Sequence, residues 1–506
     1  MIRSGMQAEN IVVDYKSFLE KTPPLCKAIQ KVTAGLRSMQ PVPEFPGTQP
    51  RILLVGGFVR DILTNTISKD VDIEVYGLDT ERLEEKLTEL FPGRMNVVGR
   101  AFGILKISIE EGVDLDISIP RRESKFGLGH KGFTVSGDPV MKIADAFKRR
   151  DFTINAMAVD AVSGELIDPF NGQDDLEKKI LRIVSSATFQ DDPLRVYRAV
   201  QLAARLNLTI EKNTKDLMRK MTKRGDLDEL SKERITEEIK KLLLKAERPS
   251  VGFELMRELG IITRDYPELN ALIGTEQEQE WHPEGDVWTH TLMVVDQAAS
   301  MIRRPECALT ELEKLQVMLG ALCHDLGKPA TTELLEGRIR SRGHEDAGIE
   351  PTESLLNRWT FGSDALQAAQ AIAAEHLKPT MLYFSKLKGQ MTDEQYTNAV
   401  RRLLKRIAPL SYDVFLTAAE ADSRGRGLPD TDKEIHAPCD MMREVIKREG
   451  LDGSAMKPLL QGMDLIELGF SPGPKMGELI ADIEAARDRG EIKTKEEALE
   501  RVRKNP

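Results

Sequence analysis

The chain has 506 residues, 30% of them charged and 41% hydrophobic; this is the composition of an ordinary globular protein, too long for one hydrophobic core, so three or more domains are expected. No apolar run reaches eighteen residues, which excludes a membrane-spanning helix, and the acid-bearing start MIRSGMQAENIVVDYK lacks the apolar stretch of an export signal. The net charge of −10 excludes a wholly basic nucleic-acid binder and leaves room only for a local basic groove, while four widely spaced cysteines with no Cys-x-x-Cys pair read as reduced thiols of a cytoplasmic protein.

Residues 1–50 hold a helical stretch near Tyr15 to Met39 and a proline-rich linker from Pro41 to Pro50. They carry no evident chemistry and read as a packing extension. The rest of the chain is organised around the stretch Arg51 to Gly77, RILLVGGFVRDILTNTISKDVDIEVYG. A strand from Ile52 to Val55 breaks at Gly56 and Gly57, where side chains would block close approach to the backbone. A helix starting near Phe58 aims its free N–H groups at that gap, a geometry that suits phosphate. Asp70 and Asp72 then stand two apart on a second strand, on one face. Two carboxylates beside a phosphate cradle suit a divalent metal bound with a nucleoside triphosphate.

A lone diglycine turn or a lone Asp-x-Asp recurs freely in unrelated chains. Gly-Gly-x-Val-Arg-Asp followed nine residues later by Asp-x-Asp is more specific. It resembles the head of the nucleotidyltransferase superfamily, in particular the class II tRNA nucleotidyltransferases and bacterial poly(A) polymerases. The resemblance implies nucleotide contacts from Gly56, Gly57 and Arg60.

Further on, Thr80 to Phe91 reads as an amphipathic helix, with strands at Phe102 to Ile109 and Val113 to Ile119. Asp114 and Asp116 alternate on the second of these. By resemblance Asp116 is the third carboxylate of the site; a strand-edge acid is the equal alternative. RRESKFGLGHKGFTVSGD, Arg121 to Asp138, reads as a mobile loop whose Arg121, Arg122 and Lys125 meet phosphates or solvent. KRRDFTINAMAVD, Lys148 to Asp160, reads on its residues alone as a basic helix start. Its Arg149 and Arg150 suit triphosphate or RNA-backbone oxygens, Asp151 could orient one of them, and Asn155 could bond a ribose hydroxyl. The run resembles the second signature of the class II enzymes, and IDPFNGQDDLEKKILRIV continues the pattern.

In DDPLRVYRAVQLAARL, Asp191 to Leu206, Val196, Val200, Ala203 and Ala204 line an apolar helix face. Asp192 and Arg195, three apart, share another face and can act as one unit. Aspartate accepts and arginine donates, so the pair matches the Watson–Crick edges of cytosine and adenine. Uracil and guanine would leave buried groups unpaired, at about 1–3 kcal/mol each. Without the preceding motifs the default is an i,i+3 surface salt bridge. The family pattern has Glu at position 191 and Arg-Phe where this chain has Gln201 and Leu202; the second departure bears on a neighbouring phosphate or packing contact. Arg198 belongs by resemblance to the same nucleotide-binding set. LSKERITEEIKKLLL, with Ser231 at the cap, resembles the last family motif, and Arg234 and Glu238 at its matching positions read as structural.

Of seven histidines, five fall between residues 282 and 376. His290, His324 with Asp325, His344, His376 and Asp422 form the order H…HD…H…H…D, ligands for borderline divalent metals. This resembles an HD-domain phosphohydrolase, and WHPEGDVWTHTL, CHDLGK and EADSRGR resemble the HD region of proteobacterial CCA-adding enzymes. That implies hydrolysis of phosphate esters, 2′,3′-cyclic phosphates included, with a transition metal, Ni²⁺ among the candidates, and Lys328 near phosphate; the alternative is a metal-free scaffold. From Pro458 the tail reads as two short helices for packing or tRNA-elbow contact.

The expected fold is α+β: a small mixed-sheet nucleotidyltransferase head, then an all-α neck, body and HD domain. The expected divisions are an extension (1–50), head (51–185), neck (186–272), HD domain (273–450) and tail (451–506). The resemblance implies addition of CCA to tRNA from CTP and ATP, with Asp70 and Asp72 holding two Mg²⁺. The alternatives are A-only or CC-only addition, a poly(A) polymerase, or an RNA-end phosphohydrolase with an inactive head.

Overall fold

The computed structural model describes residues 11–66, 70–96, 104–110, 113–125, 133–428, 436–451, 458–488, 490–492 and 494–504. The chain divides into two compact units, Met1–Ser231 and Lys232–Pro506. The division falls inside the expected neck. Gly225, at φ 88°, ends the helix Lys212–Arg224, and the helix Lys232–Lys245 packs on the helix Glu311–Cys323 of the second unit.

The first unit is built on a mixed sheet of β1 (Arg51–Val55), β2 (Asp70–Tyr76), β3 (Met95–Asn96), β4 (Ile104–Glu110), β5 (Val113–Ser118), β8 (Ala158–Asp160) and β9 (Leu166–Ile167), in the order β3-β4-β5-β2-β1-β8-β9. Alternation decides its two faces. Ile52, Leu54, Val71, Ile73, Val75, Leu115 and Ile117 point to one face and join a buried core with α1 (Tyr15–Leu19), α2 (Pro23–Arg37), α3 (Gly57–Leu63) and α4 (Thr80–Leu90). Leu53, Val55, Tyr76 and Ala158 point to the other, against Ala146, Phe147 and Ala156. The N-terminal stretch is two helices, because Pro23 is well placed only in a first helical turn. Tyr15, Leu25, Ile29 and Leu36 are buried in the sheet's core, so the stretch packs on the head.

Two local expectations are corrected. Part of the loop expected from Arg121 to Asp138 is a hairpin: β6 (Arg121–Lys125) pairs antiparallel with β7 (Phe133–Gly137), while 126–132 lie outside the described residues. Glycine and cations masked its strands. The expected basic helix start at Lys148 is instead a helix end. Ile143–Phe147 stops, Thr153–Asn155 makes a single 3-10 turn, and β8 pairs with β1.

Among the described residues the second unit is helical except for the antiparallel hairpin Thr332–Leu335/Arg338–Ser341. Its two-residue turn places Glu336 at φ 52° and Gly337 at 77°, the handed turn that matches strand twist. The tail has three helices among the described residues, Gly462–Glu467, Pro474–Asp488 and Lys495–Lys504, with a core of their own around Leu465, Ile483 and Val502.

Candidate functional sites: a carboxylate face in the head and a histidine–aspartate cavity

β2 lies between β1 and β5, and its register sets the first site. Asp72 faces Val55 on one side and Asp116 on the other, and Asp70 faces Asp114. Asp72 is exposed, and Asp116 stands beside it on the parallel neighbour. Asp70 occupies the alternate position of the same strand; its side chain lies outside the described residues. Asp114 is engaged with Lys106 at 2.9 Å and Ser108 at 2.9 Å, and Asp116 is the carboxylate in register with Asp72.

Gly56 has φ 75°, the left-handed region where side chains are strained. A Cβ there would stand 3.1 Å from both Asp72 Oδ2 and Arg150 Nη1. The bare backbone thus separates a carboxylate from a guanidinium. Glu74 is the next residue of β2 on this face and is buried. It accepts from Arg149 Nη2 at 3.3 Å, Arg150 Nη2 at 3.4 Å and the Tyr76 hydroxyl at 2.7 Å. Sequence reasoning missed Glu74, whose partners are 75 and 76 residues away; its two-residue spacing from Asp72 was the only signal.

Asp151, Asn155, Arg60 and Asp61 form one buried network, joined at its edge by the half-buried Arg198. Asp151 Oδ2 accepts from Arg198 Nε (2.9 Å) and Nη2 (2.7 Å), while Oδ1 accepts from Asn155 Nδ2 (3.1 Å) and the Phe152 N–H (2.8 Å). Burial alone would raise the Asp151 pKa, but Arg198 and Asn155 more than offset it and hold it at about 2. Arg60 donates to Asn155 Oδ1 (2.7 Å) and twice to Asp61 Oδ1 (2.9 and 2.6 Å). Arg60 and Asn155 therefore spend their polar atoms inside the protein, and a Cβ on Gly57 would stand 3.3 Å from Arg60 Nη2. They brace the diglycine turn from within.

The helix Leu194–Leu206 begins after Pro193, so Asp192 stands ahead of it, outside the helix, where the three-residue spacing alone does not set its direction. The Asp192 carboxylate accepts the Leu194 N–H at 3.2 Å. Arg195, in the first turn, donates to the main-chain oxygens of Thr188 (2.6 Å) and Arg149 (2.5 Å). It is thereby tied to the residue whose side chain sits on Glu74. On the hairpin, Arg122 pairs with Asp138 at 2.6 Å.

The second site gathers all six expected ligands, each buried. His290 Nε2 lies 3.1 Å from Asp422 Oδ1 and 3.2 Å from His324 Nε2; His324 Nε2 lies 3.1 Å from Asp325 Oδ2. His344 and His376 approach Asp325 Oδ1 from the other side, at 3.4 and 4.0 Å. Asp325 thus belongs to the triad Asp325–His344–His376 and reaches, through Oδ2, His324 of the triad His290–His324–Asp422. His324, His344 and His376 turn Nδ1 to the main-chain oxygens of Ala321, Ser341 and Ala373, at 2.8, 2.7 and 2.9 Å. An imidazole facing a carbonyl carries its proton there, leaving Nε2 as a lone pair.

His290 Nδ1 lies 2.8 Å from Glu284 Oε1, which also meets His282 Nδ1 at 2.8 Å. Glu284 and His282 were not among the expected ligands, though the His-Pro-Glu step within WHPEGD marks them. Burial pushes His376 down to about 4. For Asp325 burial opposes the charge, but His324 and Lys328 hold it well below the usual carboxylate range. Asp325 Oδ1 and His344 Nε2 are buried and make no hydrogen bond. That donor set, imidazoles around buried carboxylates, fits a borderline divalent metal. A cavity of about 250 Å³ opens over it, with Lys328, Arg426 and Trp281 in its lining.

These features define a nucleotidyltransferase-type head followed by an HD-type site, and comparison with known proteins agrees. The family model for the poly A polymerase head domain matches residues 52–182, that for the probable RNA and SrmB-binding site of polymerase A matches 207–273, and the HD domain matches 287–420. The multifunctional CCA protein of Stenotrophomonas maltophilia (strain K279a) is 34% identical over 437 residues, 85% of this chain and 97% of that one. The multifunctional CCA protein of Methylobacillus flagellatus is 36% identical over 378 residues, 74% of this chain and 84% of that one. The chain belongs to the multifunctional CCA protein family. The fold is that of solved CCA-adding enzymes. The Thermotoga maritima enzyme complexed with tRNA matches at TM-score 0.58 and 18% identity, covering 98% of this chain and 99% of that one. The Bacillus stearothermophilus enzyme in complex with CTP matches at 0.61 and 21%, covering 96% and 98%. Among the described residues no helix is long and apolar enough to cross a membrane.

Proposed function

We propose that this chain adds C, C and A to the 3′ end of tRNA from CTP and ATP, without a nucleic-acid template, and that its HD site hydrolyses phosphate esters, 2′,3′-cyclic phosphates included. The reading places the protein with its tRNA in the cytoplasm. One observation carries it: Asp72, Asp116, the bare Gly56 and Arg149–Arg150 meet on one face of one sheet. Mg²⁺ on Asp70 and Asp72, with Asp116 beside them, would neutralise the triphosphate and ease deprotonation of the tRNA 3′ hydroxyl; oxygen-only donors fit that hard ion.

Gly56 leaves the space between Asp72 and Arg150 to the triphosphate. Arg149 and Arg150, steadied by Glu74, meet its oxygens and take up charge as pyrophosphate leaves. Asp192 and Arg195 read the base, and the bond from Arg195 to the Arg149 carbonyl couples base choice to phosphate position. At the HD site His290, His324, Asp325, His344, His376 and Asp422 would hold a transition metal, Ni²⁺ among the candidates, which would supply Lewis acidity to the phosphate. Lys328 and Arg426 draw the anion into the cavity.

The test is a tRNA lacking its last three nucleotides, given CTP and ATP separately and together and read at nucleotide resolution. Two additions with CTP and three with both are expected. Addition of a single A, of C alone in the presence of ATP, or of a long A tail would replace the reading by one of its relatives.

A further inference from the structure

The cavity over the histidine–aspartate cluster holds a feature that metal binding leaves unused. Trp281 lines it and is 53% exposed. A large aromatic side chain left in water at a cavity mouth forgoes its burial energy. The other two tryptophans, Trp288 and Trp359, are 1% and 3% exposed. Trp281 is also held in place. Its turn is fastened to the hairpin Thr332–Leu335/Arg338–Ser341 by Glu278, which accepts the Ile339 N–H at 2.9 Å, and by Glu280, 3.2 Å from Arg338. The Trp281 N–H closes the turn on the Glu278 carbonyl at 3.0 Å. Its neighbour His282 points inward to Glu284.

The cavity's floor is cationic where it is not metal-ligating. Lys328 Nζ lies 2.7 Å from both Asp325 Oδ2 and Gln277 Oε1. Arg426 Nη2 lies 3.5 Å from Asp422 Oδ2, and its Nε is buried with no hydrogen-bond partner. These groups suit a phosphate ester. At about 250 Å³, however, the cavity is below the size that encloses a drug-sized ligand. A nucleotide whose phosphate reached the floor would leave its base at the mouth.

We propose that Trp281 is a stacking platform for the nucleobase of the substrate, so that this side chain sets the site's affinity for the base-bearing part of a nucleoside phosphate ester. The inference rests on the phosphohydrolase reading of this site and adds a residue that binds its substrate. Trp281 acts on binding. It touches substrate but moves no proton.

The experiment uses the full-length protein with bound metal and two probes, adenosine 2′-monophosphate and glycerol 2-phosphate. In wild type, adenosine 2′-monophosphate should saturably quench the emission of the exposed tryptophan, and glycerol 2-phosphate should not. Trp281→Leu should raise KM for the nucleotide about tenfold, within the range of base–aromatic stacking, leave kcat largely in place, and leave glycerol 2-phosphate hydrolysis unchanged. Trp281→Phe should recover most of the loss. Equal effects of Trp281→Leu on both esters, or unaltered nucleotide KM, would overturn the proposal. If neither ester is hydrolysed, the phosphohydrolase reading fails separately. Quenching lost in Trp281→Leu would then still support the platform, and absence of quenching would reject it.

Discussion

Arg195 Nη2 donates to the main-chain oxygen of Arg149 at 2.5 Å, across 46 residues of sequence. The residue expected to read the base is thus bonded to the backbone of the residue expected to hold phosphate. Asp192 stands just ahead of the same helix, with its carboxylate on the Leu194 N–H. Asp192→Ala should loosen the choice of CTP and ATP over UTP and GTP, by about 1–3 kcal/mol or roughly 5- to 150-fold in relative kcat/KM. Kinetics with each triphosphate would check it; unchanged selectivity would reject the role.

Glu74 is 1% exposed and steadies both Arg149 and Arg150. Glu74→Gln keeps the shape and removes the charge. We expect KM for the incoming triphosphate to rise about tenfold, consistent with about 1.5 kcal/mol for a charge-assisted bond, while the HD activity holds. A variant with unchanged KM would make Glu74 a packing residue only.

The Asp151–Arg198 pair predicts a pH dependence. The Asp151 pKa is held at about 2 in the folded chain against an ordinary 3.8. A depressed carboxylate stabilises the fold fully above its unfolded value, and that contribution, about 2 kcal/mol, fades as pH falls from 3.8 through 2. Asp151→Asn should therefore destabilise the protein equally at about pH 7 and about pH 5 in thermal melts. A difference that shrinks between those two values would contradict the assignment.

At the second site, Asp325→Ala removes the carboxylate that joins the two triads of donors. It should lower bound transition metal, read by elemental analysis, and abolish phosphoester hydrolysis while leaving nucleotide addition intact. Chelation followed by metal return should reproduce the loss and the recovery in wild type. Full metal content in the variant would move the ligand role elsewhere.

The head was legible where chemistry is local in sequence. Gly56 beside Gly57, and Asp70 two before Asp72, announce a turn and a strand face without help from distant residues. The histidine order was legible because imidazole and carboxylate recur in a helical protein with few histidines. What stayed hidden depends on long-range partners. Glu74 looks like a third acid on the strand of Asp70 and Asp72 until β2 is set against Arg149 and Arg150. The bonds of Asn155 to Asp151 and of Arg60 to Asp61 and Asn155 join segments far apart in sequence or on different elements, and spacing does not announce them. Asp192 looks helical by spacing, but Pro193, with no N–H to give, sits at the cap and leaves Asp192 outside. The hairpin from Arg121 was obscured by its cations and glycines, since strand propensity there yields to pairing across the turn.

The most direct measurement is addition by Asp72→Ala on tRNA lacking its terminal CCA, with hydrolysis of a 2′,3′-cyclic phosphate followed in the same preparation. The account predicts loss of all three additions with the hydrolysis rate retained. Continued addition of C or A at an appreciable rate would contradict it.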